Sequence, residues 1–175
     1  MSAVRWRATM TTRSGNAADF HAVEPMMRRH RLRQQGFDPV LYAPHPDAER
    51  RFRRWIGTVT EDPRATLLVA EDEGQIVGFL YATIENELPI YQHEEFALAR
   101  EWWVEPEFRG RGAGKALIEH AAAELALAGV RQLRARSAAG DEEALTVLLR
   151  CGFRMGACEM VKELDPETPA GAAPC

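Results

Sequence analysis

No stretch of this chain approaches the ~18 consecutive apolar residues that a membrane-spanning helix needs, which argues against a helical membrane protein. Cysteine is scarce and odd in number: Cys151, Cys158 and Cys175, with no Cys-x-x-Cys spacing. That pattern supports neither a disulfide framework nor a cysteine metal cage. His21, His30, His45, His93 and His120 are scattered without a His-x-x-x-His pair, so no metal site is expected. Positive charge is not in excess either. The net charge is −4 and the isoelectric point about 5.8, which argues against a general affinity for nucleic acid. No apolar, signal-like segment opens the sequence, and together with free thiols this sets the cytoplasm as the expected compartment.

What is present is enough for one sizeable core. With 175 residues, 46% of them hydrophobic, the expectation is a single domain over residues 1–164. Residues 165–175, with Pro166, Pro169 and Pro174 among alanines, read as a mobile tail.

Val4 to Met10 alternates apolar and charged residues and predicts a first strand, followed by a turn from Thr11 to Gly15. Asn16 is placed to cap a helix with Phe20, Val23, Met27 and Leu32 as its apolar positions, ending near Gly36. A second helix opens at His45 or Asp47; Phe52, Trp55 and Ile56 face inward and Arg50, Arg51, Arg53 and Arg54 outward. Thr66–Ala70 and Ile76–Ala82 form a hairpin whose turn contains Gly74. An acidic connection, Glu85 to Glu95, leads to a strand with Phe96, Leu98, Trp102, Trp103 and Val104. Later come a helix with Leu117, Ile118, Ala121, Leu125 and Ala128, a strand from Val130 to Arg136, and a helix capped by Asp141. A closing strand is expected from Cys158 to Leu164.

The chain is organised around Val104 to Lys115, V-E-P-E-F-R-G-R-G-A-G-K, where a strand passes into a helix through three alternating glycines. The first amides of a helix have no partner within it, and glycines let them converge on an anion that the helix dipole also attracts. The spacing selects among anion loops. Arg109 stands where a Walker A loop needs its first glycine, and Ala116 where it needs the magnesium-binding hydroxyl. Gly110, Gly112 and Gly114 also miss the Gly-x-Gly-x-x-Gly dinucleotide spacing.

Arg109-Gly110-Arg111-Gly112-Ala113-Gly114 does resemble the Q/R-x-x-G-x-G/A signature of the GNAT-type N-acetyltransferase superfamily, preceded by its Val-x-Pro-x-Phe. Ala144 to Phe153, ending in Gly152-Phe153, is similar to that family's last helix, and the resemblance runs from about Arg64 to Phe153. It implies a GNAT-like α/β fold: a mixed, mostly antiparallel sheet of six to seven strands with helices on both faces. It also implies acetyl-CoA as co-substrate and transfer of an acetyl group to a primary amine by direct attack on the thioester.

Under that resemblance, Arg109, Gly110, Arg111, Gly112, Ala113, Gly114 and Lys115 take the diphosphate. Trp103, Val104 and Glu105 offer strand amides to the pantetheine arm, and Ser137 and Asp141 stand near the cleft. The attacking amine must first lose a proton. Glu101 is the expected base, with His93 and Glu95 as runners-up. Leu148 occupies the position where many members have a tyrosine that protonates the departing sulfur; Cys151, Ser137, Tyr81 or Tyr91 could substitute. The acceptor is a small-molecule or protein amine, with no nucleic acid, no membrane, and a homodimer left open. Acidic Glu85, Glu87, Glu94 and Glu95 hint at a cationic amine. The competing reading is a CoA-binding regulatory or interaction module with little or no turnover.

Overall fold

The computed structural model describes residues 10–164 of the chain. Five strands form one sheet in the order β1-β2-β3-β4-β5, where β1 is Thr11–Ser14, β2 Ala65–Asp72, β3 Gln75–Asn86, β4 Glu95–Val104 and β5 Leu133–Ala135. The first four pair antiparallel and β5 runs parallel to β4. Four helices are added: α1 (Phe20–Phe37), α2 (Ala48–Val59), α3 (Ala113–Leu127) and α4 (Glu142–Arg150).

Helices on both faces are borne out, but the strand count is corrected from six to seven down to five. Residues 4–9 of the expected first strand lie outside the described residues. The expected turn at Thr11–Gly15 is instead β1 up to Ser14, held by pairing with Leu68 to Glu71 that no local signal announces. The segment from Cys158 to Leu164 is extended and exposed but unpaired, so it adds no strand. Its apolar side chains Met160, Val161 and Leu164 alternate poorly with charge and find no sheet edge to cover.

The sheet divides the interior into two packed clusters. On one face α3 lays Ala113, Leu117, Ile118, Ala121 and Leu125 against Leu68, Ala70, Val77, Leu80 and Val104, with Leu148 of α4 beside them. On the other, Val23, Met26 and Met27 of α1 and Phe52, Ile56 and Val59 of α2 cover Leu67, Val69, Phe79, Tyr81 and Trp103. Spacings of three and four keep these residues on one side of each helix. Two apolar positions depart from expectation. Leu32 is exposed where α1 overhangs the sheet, and Ala128 is exposed at the end of α3.

The β2–β3 hairpin closes in two residues, Glu73 and Gly74, both at positive φ, as a turn matching the twist of its strands demands. Gly78 has a different role. A Cβ there would stand 2.8 Å from the Trp103 carbonyl oxygen and 3.2 Å from Val104 Cγ2, so the missing side chain lets the end of β4 approach β3.

Asp19 ties the start of α1 to the sheet. It accepts 2.8 Å bonds from both terminal nitrogens of Arg13 and from the Asn16 amide, while the Asn16 side chain accepts from Ala18. Arg13 holds the Asp19 carboxyl below its usual range against burial, with the Asn16 amide adding to it. A depressed carboxyl contributes stability that is present above its unfolded pKa of ~3.9 and lost as pH falls through the folded value. Asp19→Asn is therefore expected to cost roughly 1–2 kcal/mol at neutral pH, at the low end of charged hydrogen bonds because Arg13 is partly solvated. The cost shrinks below pH ~4. Urea unfolding at both pH values checks this, and an equal cost at each would remove the carboxylate from the explanation.

Candidate active site

The site is built where β4 leaves β5. In the β3–β4 ladder, Tyr81 pairs with Glu101 but Ala82 with Ala99, so Arg100 is an extra residue in a bulge. The bulge shifts the alternation by one. Glu101 emerges on the α1 face, two residues before Trp103. On its other edge β4 meets β5 only over Ala97–Ala99 and Leu133–Ala135, with a last bond of 3.4 Å from the Arg136 amide to the Ala99 carbonyl. Beyond it, residues 101–104 have no partner from β5, and the two strands diverge.

Peptide alternation decides which amides face this open edge. The Glu105 N–H donates to the Val77 carbonyl at 2.9 Å, so it is turned toward β3 and is corrected out of the set offered to a ligand. Gly78 lies against the Trp103 carbonyl, which turns that peptide toward β3 as well. Val104 faces the other way, since its carbonyl accepts from Arg109 Nε at 3.0 Å. By the same alternation Trp102 shares the open edge. Of the three strand residues expected there, only Val104 stays on it with its main chain.

At the end of β4 a short 3-10 turn, Pro106–Phe108, leads into the glycines. Gly110 and Gly112 have φ of 74° and 96°, the left-handed region that favours glycine, and Gly112 caps α3. Ala113, Gly114 and Lys115 form the first turn of α3. The backbone bonds at this turn are Phe108 N–H to Glu105, Arg109 N–H to Pro106 and Ala116 N–H to Gly112. Among the described residues, the amides of Gly110 through Lys115 therefore have no protein acceptor. A Cβ on Gly110 or Gly112 would meet nothing within 4 Å. The glycines leave a clear approach to a row of unpaired donors at the positive end of a helix, a fit for a diphosphate.

The charged side chains of the loop are engaged elsewhere. Arg109 stacks 4.6 Å from the Trp103 ring and pairs with Glu143 at 3.1 Å. Arg111 lies over Phe108 and near Asp72, and Lys115 pairs with Glu119 along α3. Anion binding by this loop would thus rest on its main chain.

Glu105, 8% exposed, is a strut: it accepts from Trp103 Nε1 at 3.1 Å and pairs with Arg29 of α1. Asp141 caps α4 by accepting the Ala144 amide at 3.1 Å and binds Arg33 of α1 through both oxygens, at 3.0 and 2.8 Å. Burial pushes its carboxyl up, but the Arg33 guanidinium and the Ala144 amide outweigh it and hold the carboxyl below its usual range. Ser137 is exposed, its hydroxyl 3.4 Å from the Ala138 carbonyl.

Among the expected proton carriers the structure makes a selection. Glu101 lies within 2.9 Å of His30, a residue of α1 that sequence reasoning passed over because a lone histidine among arginines gave no spacing signal. His93 sits half-buried in the 87–94 connection, away from any printed partner among the described residues. Cys151 packs on the α3 face, opposite the side on which Glu101 stands, and burial pushes its thiol up. Tyr81 is directly across from Glu101 on β3, and burial likewise raises its hydroxyl. Leu148, 7% exposed, is part of the core.

The acidic mouth is corrected too. Glu85 pairs with Arg100, Glu87 with Arg134 and Glu95 with Arg64, at 2.6–2.7 Å, so three of the four carboxylates are already neutralised.

A family model, the acetyltransferase (GNAT) family, matches residues 26–153, which span both the glycine turn and the bulged strand. The chain belongs to the GNAT family. It is 26% identical over 109 residues to an aminoglycoside N(6′)-acetyltransferase type 1 of Stenotrophomonas maltophilia, covering 62% of this chain and 71% of that protein. With an uncharacterized N-acetyltransferase of Archaeoglobus fulgidus it shares 30% identity over 104 residues, 59% of this chain and 67% of that one. Among solved structures, a Bacillus halodurans protein superposes with a TM-score of 0.75 at 17% identity, covering 88% of this chain and 99% of the other. Aminoglycoside N-acetyltransferase AAC(6′)-Iy, bound to a bisubstrate analogue of CoA and acetylneamine, gives 0.69 at 16% identity, covering 89% and 98%. These structural likenesses establish the GNAT fold. Among the described residues no helix is long and apolar enough to cross a membrane.

Proposed function

We propose that this GNAT protein transfers an acetyl group from acetyl-CoA to a primary amine by direct attack. The observation that carries this is the row of unpaired amides from Gly110 to Lys115, placed at the end of a strand edge that β5 leaves open. A diphosphate at the first and an extended arm along the second would lead toward the bulge, where Glu101 stands.

Acetyl-CoA supplies the thioester; the chain's own groups do the rest. Glu101 takes the proton from the ammonium, leaving a lone pair free to attack. The Val104 N–H, on the open edge, donates to the carbonyl oxygen as negative charge grows there, and one such donor is worth ~10²–10³ in rate. The nitrogen–carbon bond forms, the carbon–sulfur bond breaks, and the nitrogen's second proton ends on the sulfur. Leu148 cannot deliver it. Tyr81, held protonated by burial and adjacent to Glu101, is the best-placed donor of the set. A thiol of pKa ~8.5 is also an adequate leaving group without one.

The acceptor class we favour is a small-molecule amine of modest charge, because the carboxylates that would draw a polycation are paired with arginines. The rival reading, a CoA-binding module without turnover, is favoured by the burial of Leu148 in the core. One experiment separates them. Acetyl-CoA at a hundredfold excess over its dissociation constant stabilises the protein by ~2.7 kcal/mol under either reading, a melting shift of roughly 5–10 °C. Only the enzyme then releases CoA thiol when monoamines, amino acids, polyamines, aminoglycosides and peptide N-termini are supplied. No melting shift would sink both readings; a shift without amine-dependent thiol would leave the module.

A further inference from the structure

Two buried side-chain polar atoms lack a hydrogen-bond partner among the described residues, His30 Nδ1 and Glu101 Oε2, and they belong to one contact. Buried polar atoms are almost always paired, so two orphans in a single pair need an explanation. His30 Nε2 approaches Glu101 Oε2 to 2.9 Å, ion-pair distance, yet Oε2 still counts as unpartnered, so the groups meet off the hydrogen-bond line. The side chains are 12% and 29% exposed, so the solvent-facing part of the pair is on the carboxylate, and Oε2 is not it.

The proton count follows from these positions. At 2.9 Å a bare imidazole nitrogen would repel a carboxylate oxygen, so a proton lies between them. A proton on Nδ1 would bury an N–H with no acceptor. The arrangement that avoids both is a neutral imidazole with its hydrogen on Nε2, beside an ionised carboxylate. The ring is held in place by Trp103, whose centroid is 5.7 Å away and whose Nε1 is itself fixed by Glu105.

We propose that His30 is a positioning residue for Glu101: its Nε2–H holds Oε2 inside the protein, which turns Oε1 toward the cleft to meet the ammonium. This rests on the acetyl-transfer reading above. The proton removed from nitrogen goes to Oε1, giving a neutral acid hydrogen-bonded through Oε2 to a neutral imidazole, and it returns to solvent from the exposed oxygen. No charge is ever placed on Nδ1. Other groups face the pair from each neighbouring element. Asp141 at the start of α4 acts on His30, and Tyr42 between α1 and α2 feels the charge of Glu101. Arg33 lies one turn along α1, bound to Asp141, and Tyr81 lies across from Glu101 on β3.

The test compares His30→Phe, which keeps a ring against Trp103 but removes the donor, with His30→Gln, which restores a side-chain N–H. His30→Phe is expected to lower kcat roughly 10–100-fold with KM for acetyl-CoA unchanged. It moves the acidic limb of the kcat–pH profile upward, because the carboxylate loses a donor that favours its charged form. His30→Gln recovers most of the rate. An unmoved acidic limb in His30→Phe, or a glutamine variant no better than phenylalanine, overturns the proposal. Nitrogen-15 spectra of the histidines supply a readout that needs no turnover. The hydrogen of His30 is expected on Nε2, with a resonance that shifts in Glu101→Gln; a hydrogen on Nδ1, or indifference to that substitution, also overturns it. Failure of the acetyl-transfer reading looks different: the wild type releases no thiol with any amine, whatever the spectra show.

Discussion

Gly112→Trp is expected to abolish the stabilisation by acetyl-CoA, raising its dissociation constant at least ~100-fold, a loss of about 2.7 kcal/mol or more. The residue caps α3 at φ 96°, and a Cβ there projects into space clear of other atoms for 4 Å. An indole at this point would stand before the amides of Ala113, Gly114 and Lys115 without needing to displace any protein group. Its cost to the fold is limited to the left-handed backbone, about 1–3 kcal/mol. The protein should thus melt somewhat lower alone and be indifferent to the cofactor. Calorimetric titration and melting curves with and without acetyl-CoA check this. Affinity within a few-fold of wild type would mean that the diphosphate is held elsewhere.

Glu101→Gln is expected to lower kcat at neutral pH by ~10²–10⁴-fold while leaving acetyl-CoA affinity intact. Glutamine keeps the size of the side chain and an oxygen for His30 Nε2, so the pair with α1 survives while the capacity to take a proton is lost. The deficit should shrink as pH rises toward the amine pKa of ~10, since unprotonated acceptor then needs no base. The sign follows from the substrate: below that pKa the ammonium dominates and the base is required, above it the base is idle. A kcat–pH profile parallel to wild type would remove Glu101 from the proton path and leave Tyr81 as the remaining titratable neighbour in register with it.

Both predictions use residues that could be named before any coordinates, but for different reasons. The loop was legible because its chemistry is local. Glycines at alternate positions between a strand and a helix leave amides unpaired through backbone geometry alone, and residues a few positions apart stay together in every fold. The same holds for the Asp141 cap on Ala144, the Asn16 start of α1 and the Gly74 turn. Glu101 was legible in part. Alternation placed it with Trp103, but the bulge at Arg100 that sets the open edge depends on pairing with β3 and leaves no mark in β4 itself.

Other features were misread where long-range pairing outweighed local pattern. Thr11–Ser14 looked like a turn and became an edge strand because Leu68 to Glu71 offered it partners. Cys158–Leu164 looked like a strand and found none. Glu85, Glu87 and Glu95 looked like a free acidic mouth, yet Arg100, Arg134 and Arg64, each from a distant part of the chain, discharge them.

The amino-acid order alone settled the family, the two-sided α/β plan and the main-chain anion loop, since each depends on contacts between near neighbours or on periodicity along one element. Tertiary packing alone chose the partner of Glu101. His30 reaches it only because α1 crosses the face of β4, and no spacing along the chain records a meeting between residues that far apart.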